Sequence, residues 1–173
     1  MAAAIINHPD PLDWLDLVPE DEGQGGAEVR YTVNIAGPAI AGRDPQPYEG
    51  GIFTFTAAFP STFPAAPPAF TISKRLWHPL VHWDTLQLCA AVVPELWPSY
   101  APSKEALAAL DDDTRKCEPM LAAFRLLRDL LAKVHENTDG VAVNSEAVAQ
   151  IKADGGKPFD VKASETTRTY AME

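Results

Sequence analysis

Four prolines between residues 60 and 68 limit how the first half of this chain can fold. Each proline lacks a backbone N–H, so this stretch cannot be a central strand of a sheet. On either side the sequence is rich in Phe, Thr and Ile, at residues 52–59 and 69–73, which predicts two strands. The prolines therefore indicate a stiff connection between neighbouring strands.

An earlier stretch alternates apolar and polar side chains. Val29, Tyr31, Val33 and Ile35 fall on one face, with polar or charged residues between them. This alternation predicts an antiparallel strand with one buried face. With the other two strands it predicts an antiparallel meander. For residues 8–19 we predict instead one or two helical turns.

Helical periodicity follows the strands. Ser103 is predicted to cap a short helix, and Pro119 is predicted to begin a long helix that covers one face of the sheet. Another helix is expected after Asn144 or Ser145, and residues 159–171 predict a last one. Strands followed by helices predict an α+β fold.

The interval from Lys74 to Pro102 has no regular periodicity. Long irregular segments in compact domains are uncommon and are often functional. We therefore expect the functional site in this interval.

The composition excludes several classes of function. The 173 residues carry a formal net charge of −10, which disfavours nucleic acid or an anionic membrane as partner. No apolar run is long enough for membrane insertion, and the N-terminus lacks the pattern of a secretory signal. Two cysteines without a CxxC pair favour a reducing compartment. We predict an acidic N-terminal segment at residues 1–28 and one core domain at residues 29–173.

Cys89 lies within the irregular interval, and its chemistry can be read in two ways. A free cysteine is most often a small buried apolar residue. His78, His82 and Asp84 lie nearby in sequence, however, and such neighbours can make a thiol reactive. No evident general base accompanies it, and the spacings match no metal site. A nucleophile in this setting suits an acyl group that arrives already activated.

The order of several motifs resembles the ubiquitin-conjugating enzymes from Val29 to the C-terminus. "PYEGG" and "FPSTFPAAPP" are similar to the family's PYxGG and FPxxYPxxPP stretches. "HPL" resembles its HPN motif, and "LQLC" followed by "WP" resembles its active-site cysteine and tryptophan. "VNSEAV" and "TTRTYAME" are similar to its last two helices.

The resemblance implies the family's fold, an antiparallel meander with C-terminal helices packed on it. It also implies that Cys89 accepts ubiquitin, or a ubiquitin-like protein, as a thioester from an activating enzyme. The modifier would then pass to a lysine or to a ligase, without cofactor or metal. The compartment expected from the family is the cytoplasm, with the nucleus or the peroxisome surface as alternatives. His78 and Cys89 stand one residue further apart than in most members, a spacing shared by some peroxisomal ones.

The expected active-site loop departs from the family at one position. Where the family has the asparagine of HPN, assigned to oxyanion stabilisation or to holding the loop, this chain has Leu80. Leucine offers no donor, so we expect thioester formation to survive and direct transfer to lysine to suffer. His82 and Gln87 are candidate replacements, and His78 is expected to hold the loop through a side-chain hydrogen bond. The loop residues are His78, Pro79, Leu80, His82 and Gln87.

Three further departures concern partner surfaces. The surface that the resemblance assigns to partner binding consists of Phe63, Pro64, Ala65, Trp97, Pro98 and Ser99. It lacks the family's aromatic residue at position 65. The family's basic first helix is replaced by acidic residues, namely Asp10, Asp13, Asp16, Glu20, Asp21 and Glu22. An apparent insertion, "LDDDTRKCEP", is expected to be a solvated loop in which Cys117 is an exposed thiol.

Two functions from different classes remain open. The first is a divergent conjugating enzyme that is charged on Cys89. The second is a catalytically impaired adaptor of the same fold, favoured by Leu80, Ala65 and the acidic N-terminus. A thiol hydrolase unrelated to conjugation is a third and weaker alternative.

Overall fold

In the computed structural model, residues 12–20, 28–136 and 141–172 are described. Their strands form one four-stranded antiparallel sheet in the order β1-β2-β3-β4. Register is continuous across the sheet, with Leu17 opposite Val33, Val33 opposite Phe55, and Phe55 opposite Ile72. The strands are β1 Leu15–Pro19, β2 Glu28–Ala36, β3 Ile52–Pro60 and β4 Ala69–Ile72.

Side-chain alternation separates the two faces of this sheet, as the sequence predicts. Tyr31, Val33 and Ile35 of β2 are buried beside the aromatic residues of β3. The opposite face is polar, and Thr54 Oγ1 donates to Asn34 Oδ1 across the strands at 2.9 Å. The three predicted strands are confirmed.

The prediction of helical turns before β2 is wrong where the structure describes the chain. Leu15–Pro19 is a strand paired with β2, and the Ala36 N–H donates to the Trp14 carbonyl at 2.8 Å. The edge strand thus lies within the segment that we assigned to residues 1–28. Asp16 and Glu20 of the predicted acidic surface accept hydrogen bonds from β2 side chains. Asp10, Asp21 and Glu22 lie outside the described residues.

Five helices follow the sheet in the described part of the chain. A single 3₁₀ turn, Asp154–Gly156, joins the last two helices, and both of its glycines adopt positive φ. The helices are α1 Val92–Tyr100, α2 Lys104–Ala108, α3 Asp112–Ala132, α4 Ser145–Lys152 and α5 Lys157–Tyr170. Helix α1 lies within the interval predicted to be irregular, which corrects that expectation. Ser103 caps α2 and Asn144 caps α4, as predicted.

Helix α3 packs on the buried face of the sheet, as predicted. The ring of Phe124 meets that of Phe59 edge to face at 6.0 Å. The predicted start at Pro119 is wrong, because Asp111 caps the helix by accepting the Asp113 and Thr114 N–H groups.

The apparent acidic insertion is therefore mostly helical, and the expectation that it is a solvated loop is wrong. Its three aspartates, at residues 111–113, occupy the cap and first turn of α3, where the helix dipole favours negative charge. The expected exposure of Cys117 is also wrong, since its side chain is fully buried and donates to the Thr114 carbonyl at 3.3 Å.

Candidate active site

A short hairpin carries Cys89. The Cys89 N–H donates to the Leu80 carbonyl at 2.8 Å, and the His82 N–H donates to the Gln87 carbonyl at 2.9 Å. Val81 and Leu88 form an antiparallel bridge between these two bonds. We call residues 78–89 the Cys89 hairpin. Its ladder fixes the backbone at the cysteine, which the sequence interval alone did not reveal.

Cys89 is partly exposed and stands three residues before the start of helix α1. Its carbonyl accepts the Val92 N–H at 3.2 Å, at the point where the helix begins. Val92 and Val93 are buried, so the helix start is anchored in the core. Cys89 is thus held at the junction of the hairpin and a packed helix, and the residue is partly exposed.

His78 is buried and uses both ring nitrogens. Nδ1 accepts the Leu80 N–H at 3.0 Å, so Nε2 carries the proton and donates to the Leu130 carbonyl at 3.0 Å. Burial lowers the pKa of His78 to about 4, and the hydrogen bond to Leu130 only partly opposes this. The neutral ring is stacked on Tyr48, with ring centroids 6.3 Å apart. The imidazole ties the start of the hairpin to α3.

Leu80 points into the core and is fully buried. Its N–H is bonded to His78 and its carbonyl to Cys89, so both backbone groups of this residue hold the hairpin. The apolar side chain has no group that can donate a hydrogen bond to a reacting acyl oxygen.

Pro79 links the hairpin to helix α4. Its carbonyl accepts two backbone N–H groups, from Val143 at 2.9 Å and from Asn144 at 3.0 Å. The segment before α4 therefore lies directly beside the hairpin.

The two candidate replacement donors flank the turn of the hairpin. His82 and Gln87 are both exposed and face each other through their backbones. The Thr85 N–H reaches His82 Nδ1 at 3.4 Å, inside the turn. The Val81–Leu88 bridge separates this pair from the Leu80–Cys89 pair.

The six residues of the expected partner surface lie on two adjoining segments. Trp97 Nε1 donates to the Pro64 carbonyl at 2.9 Å, and the Phe63 and Trp97 rings are 5.6 Å apart. Pro64, Ala65, Pro98 and Ser99 are exposed around this contact. Helix α1 joins this surface to Cys89.

A groove of about 440 Å³ lies between the turn of the hairpin and helix α4. We call it the His82–Asn144 groove. Its walls include Trp83, Asp84 and Glu146 as well as the two residues that name it. The sequence predicts Asn144 only as a candidate helix cap. No sequence signal could have paired it with the hairpin, because the two segments are far apart along the chain.

Among the described residues, no group of three or more histidines, cysteines or carboxylates is placed to hold a metal ion. None of the helices described is both long enough and apolar enough to cross a bilayer.

The family model described as "Ubiquitin-conjugating enzyme" matches residues 29–167. The chain therefore belongs to the ubiquitin-conjugating enzyme family, and the resemblance found in its motifs is confirmed.

Curated relatives match a shorter region. "Probable ubiquitin-conjugating enzyme E2 31" of Arabidopsis thaliana is 35% identical over 72 residues, which are 41% of this chain and 46% of that protein. "Protein PEROXIN-4" of the same plant is 31% identical over 68 residues, or 39% of this chain and 40% of that protein. "Ubiquitin-conjugating enzyme E2-22 kDa" of Drosophila melanogaster is 31% identical over 80 residues, or 46% and 40%. The matches span less than half the length of these relatives.

The fold is also found in a solved structure, that of a ubiquitin-conjugating-type protein from Plasmodium yoelii. The superposition has a TM-score of 0.63 at 23% identity and covers 99% of this chain and 91% of that one. The predicted α+β fold of this family is confirmed.

Proposed function

We propose that this protein is a divergent conjugating enzyme that carries ubiquitin, or a ubiquitin-like protein, as a thioester on Cys89. The modifier would come from an activating enzyme and pass to a lysine or to a ligase cysteine. The observation that carries the proposal is the placement of Cys89. A partly exposed thiol stands between a hydrogen-bonded hairpin and the anchored start of α1.

The chemistry requires little beyond such a thiol. The incoming acyl group is already a thioester, so exchange needs an accessible thiolate and no strong general base. His78 cannot be that base as it stands, since both of its ring nitrogens are engaged inside the core. We assign it instead to holding the loop.

Transfer to lysine makes a heavier demand on the site. Attack by an amine builds negative charge on the acyl oxygen, and losing one positioned donor typically costs about 3 kcal/mol. Because Leu80 is fully buried and apolar, the hairpin side chain at this position supplies no such donor. We therefore propose that thioester formation on Cys89 is retained. Unaided transfer to lysine is slow unless another group donates a hydrogen bond to the acyl oxygen.

Partner contacts follow from the same proposal. The surface around Trp97 and Pro64 is suited to a ligase because exposed Pro and Ser side chains surround a fixed aromatic contact. Ala65 contributes little area there, which favours weak or unusual ligase binding. We propose the cytoplasm as the compartment, with the nucleus and the peroxisome surface as alternatives.

The burial of Leu80 also favours a second candidate, a catalytically impaired adaptor that binds ubiquitin or a partner protein without conjugation. In such a protein the fold would be kept for its surfaces and the thiol would stay uncharged.

Charging separates the two candidates. The protein is incubated with activating enzyme, ATP and a panel of modifiers, and thiol-reducible adducts are scored on gels. We expect one modifier to give an adduct with the wild type and with Cys117→Ala, but not with Cys89→Ala. Absence of any adduct, together with ubiquitin binding that survives Cys89→Ala, would establish the adaptor instead.

A further inference from the structure

Among the described residues, one buried side-chain atom lacks a hydrogen-bond partner, Nδ2 of Asn144. The residue is only 8% exposed, and its Oδ1 accepts the Ala147 N–H at 3.1 Å to cap α4. Only the amide oxygen can accept from that N–H, so the contact itself fixes which end of the amide is unpaired. Unpaired buried donors are rare in native proteins, and each one calls for an explanation.

Asn144 lies directly beside the segment that holds the thiol. Its backbone N–H donates to the Pro79 carbonyl at 3.0 Å, and the carbonyl of the next residue, Leu80, accepts the Cys89 N–H at 2.8 Å. Two backbone hydrogen bonds and one peptide unit thus connect Asn144 to Cys89. Asn144 also lines the His82–Asn144 groove, which opens beside the hairpin.

The acyl-transfer step needs a donor of this kind. The amine nitrogen of the acceptor attacks the thioester carbon, a C–N bond forms, and the oxygen becomes negatively charged. The C–S bond then breaks, the Cys89 sulfur leaves as thiolate, and the nitrogen loses a proton to water. The oxygen must be stabilised between these two steps, and Leu80 has no side-chain donor.

We propose that Nδ2 of Asn144 is the donor that the hairpin lacks at Leu80, and that it bonds the carbonyl oxygen of the acyl group during transfer. This inference rests on the proposed function, since it needs Cys89 to be charged. It explains why Nδ2 is unpaired in the protein that carries no thioester, because the hydrogen-bond acceptor, the carbonyl oxygen, arrives with the acyl group. His82 and Gln87 are less suited, because both side chains are exposed at the turn, where water competes for their hydrogen bonds.

The test distinguishes the proposed role of Asn144 Nδ2 as a donor to the acyl oxygen from the role of Oδ1 in capping α4. Asn144→Ser and Asn144→Asp keep an oxygen that can cap α4 but remove the amide hydrogens, whereas Asn144→Ala removes both functions. Charged proteins are isolated, and single-turnover discharge to free lysine is timed beside thioester formation and thermal melting. Ser103→Ala, which removes the cap of α2, is the matched control for loss of a helix cap.

We expect all variants to form the thioester, and discharge is timed from the isolated charged protein, so differences in the rate of charging do not affect it. Discharge to lysine should fall about a hundredfold in Asn144→Ser and in Asn144→Ala alike, and Ser103→Ala should discharge normally. Asn144→Ala and Ser103→Ala each lose a helix cap and should melt measurably lower than the wild type, whereas Asn144→Ser and Asn144→Asp should not. Asn144→Asp should also discharge slowly, and it serves as the second donor-free variant if Asn144→Ser folds poorly.

Wild-type discharge by Asn144→Ser and Asn144→Asp, with slow discharge by Asn144→Ala alone, would assign Asn144 to capping and overturn the inference. Normal discharge by all three would overturn it as well and leave the proposed function intact. Failure of the wild type to be charged by any modifier would instead remove the proposed function and this inference with it.

Discussion

Protonation of His78 should destabilise the folded protein as the pH falls. The folded ring accepts the Leu80 N–H at Nδ1, so a proton there would set two donors against each other inside the core. Burial lowers the pKa of His78 from 6.5 to about 4. Because the folded value lies below the unfolded one, the stabilisation is fully present above pH 6.5 and is lost between pH 6.5 and 4.

The magnitude follows from the size of the shift. Each pKa unit is worth about 1.4 kcal/mol, so the complete loss is about 3 kcal/mol, of which about 2 kcal/mol falls between pH 6.5 and 5. His78→Gln replaces the imidazole by a group that does not titrate. It also loses hydrogen bonds at every pH, with a cost of about 1–3 kcal/mol for each buried partner left unpaired.

Urea unfolding of the wild type and His78→Gln at pH 7, 6 and 5 measures the effect. The difference between their free energies of unfolding cancels the titration of other groups, including His135. This difference should shrink by about 2 kcal/mol from pH 7 to 5. His82→Gln, at an exposed histidine of the same hairpin, is the control. A difference for His78→Gln that stays constant with pH would refute the reasoning.

Three further substitutions test packing and capping by urea unfolding at pH 7. Asp160→Ala removes a buried carboxylate that accepts from His135 Nε2 at 2.8 Å and forms an ion pair with Arg43 at 3.4 Å, and we expect a loss of about 3 kcal/mol. Gly37→Ala would place Cβ 1.9 Å from the Tyr48 carbonyl oxygen, so we expect at least about 3 kcal/mol. Asp111→Ala removes the cap of α3 and should cost about 1 kcal/mol.

Matched comparisons sharpen these three tests. Gly42 has positive φ but open space around its would-be Cβ, so Gly42→Ala should lose only about 1–2 kcal/mol through backbone strain. Equal losses at Gly37 and Gly42 would contradict the steric argument. Wild-type stability in Asp111→Ala would contradict the capping argument, and a loss well below 1 kcal/mol in Asp160→Ala would contradict the buried ion pair.

Strands β2 and β3 and the body of α3 could be predicted from sequence because their burial follows local periodicity. Tyr31, Val33 and Ile35 are two residues apart, and side chains so spaced share one face of a strand. In α3, Phe124, Leu127 and Leu131 have helical spacing and all are buried. In these elements the spacing of apolar residues along the sequence is enough to predict which side chains are buried.

Strand β1 and helix α1 were missed because their signals are weak. Strand β1 lies at the edge of the sheet. Leu15 and Leu17 are only half buried and Val18 is 49% exposed, so the alternation of apolar and polar side chains is weak. Helix α1 contains Pro94 and Pro98, which argue against a helix locally. Burial of Trp97 in the tertiary structure outweighs that local preference.

The candidate site likewise has one part that could be predicted from the sequence and one part that could not. Motif spacing predicted Cys89 and the loop residues as the candidate site, since they lie in one continuous stretch, but it did not predict the hairpin that pairs them. The contact between Pro79 and Asn144 could not be predicted, because it depends on where the segment before α4 docks. A donor contributed from a distant segment is visible only once the two segments are placed side by side.

The position of Leu80 shows why a donor should be sought outside the hairpin. Its N–H and carbonyl hold His78 and Cys89, and its side chain is fully buried in the core. An amide side chain directed into this core would be buried among apolar groups at a cost of about 1–3 kcal/mol if unpaired. The backbone of Leu80 therefore holds the segment that carries the thiol, and its side chain packs in the core. The task of bonding the acyl oxygen is left to a neighbouring segment, and the unpaired amide of Asn144 lies on the segment that contacts Pro79.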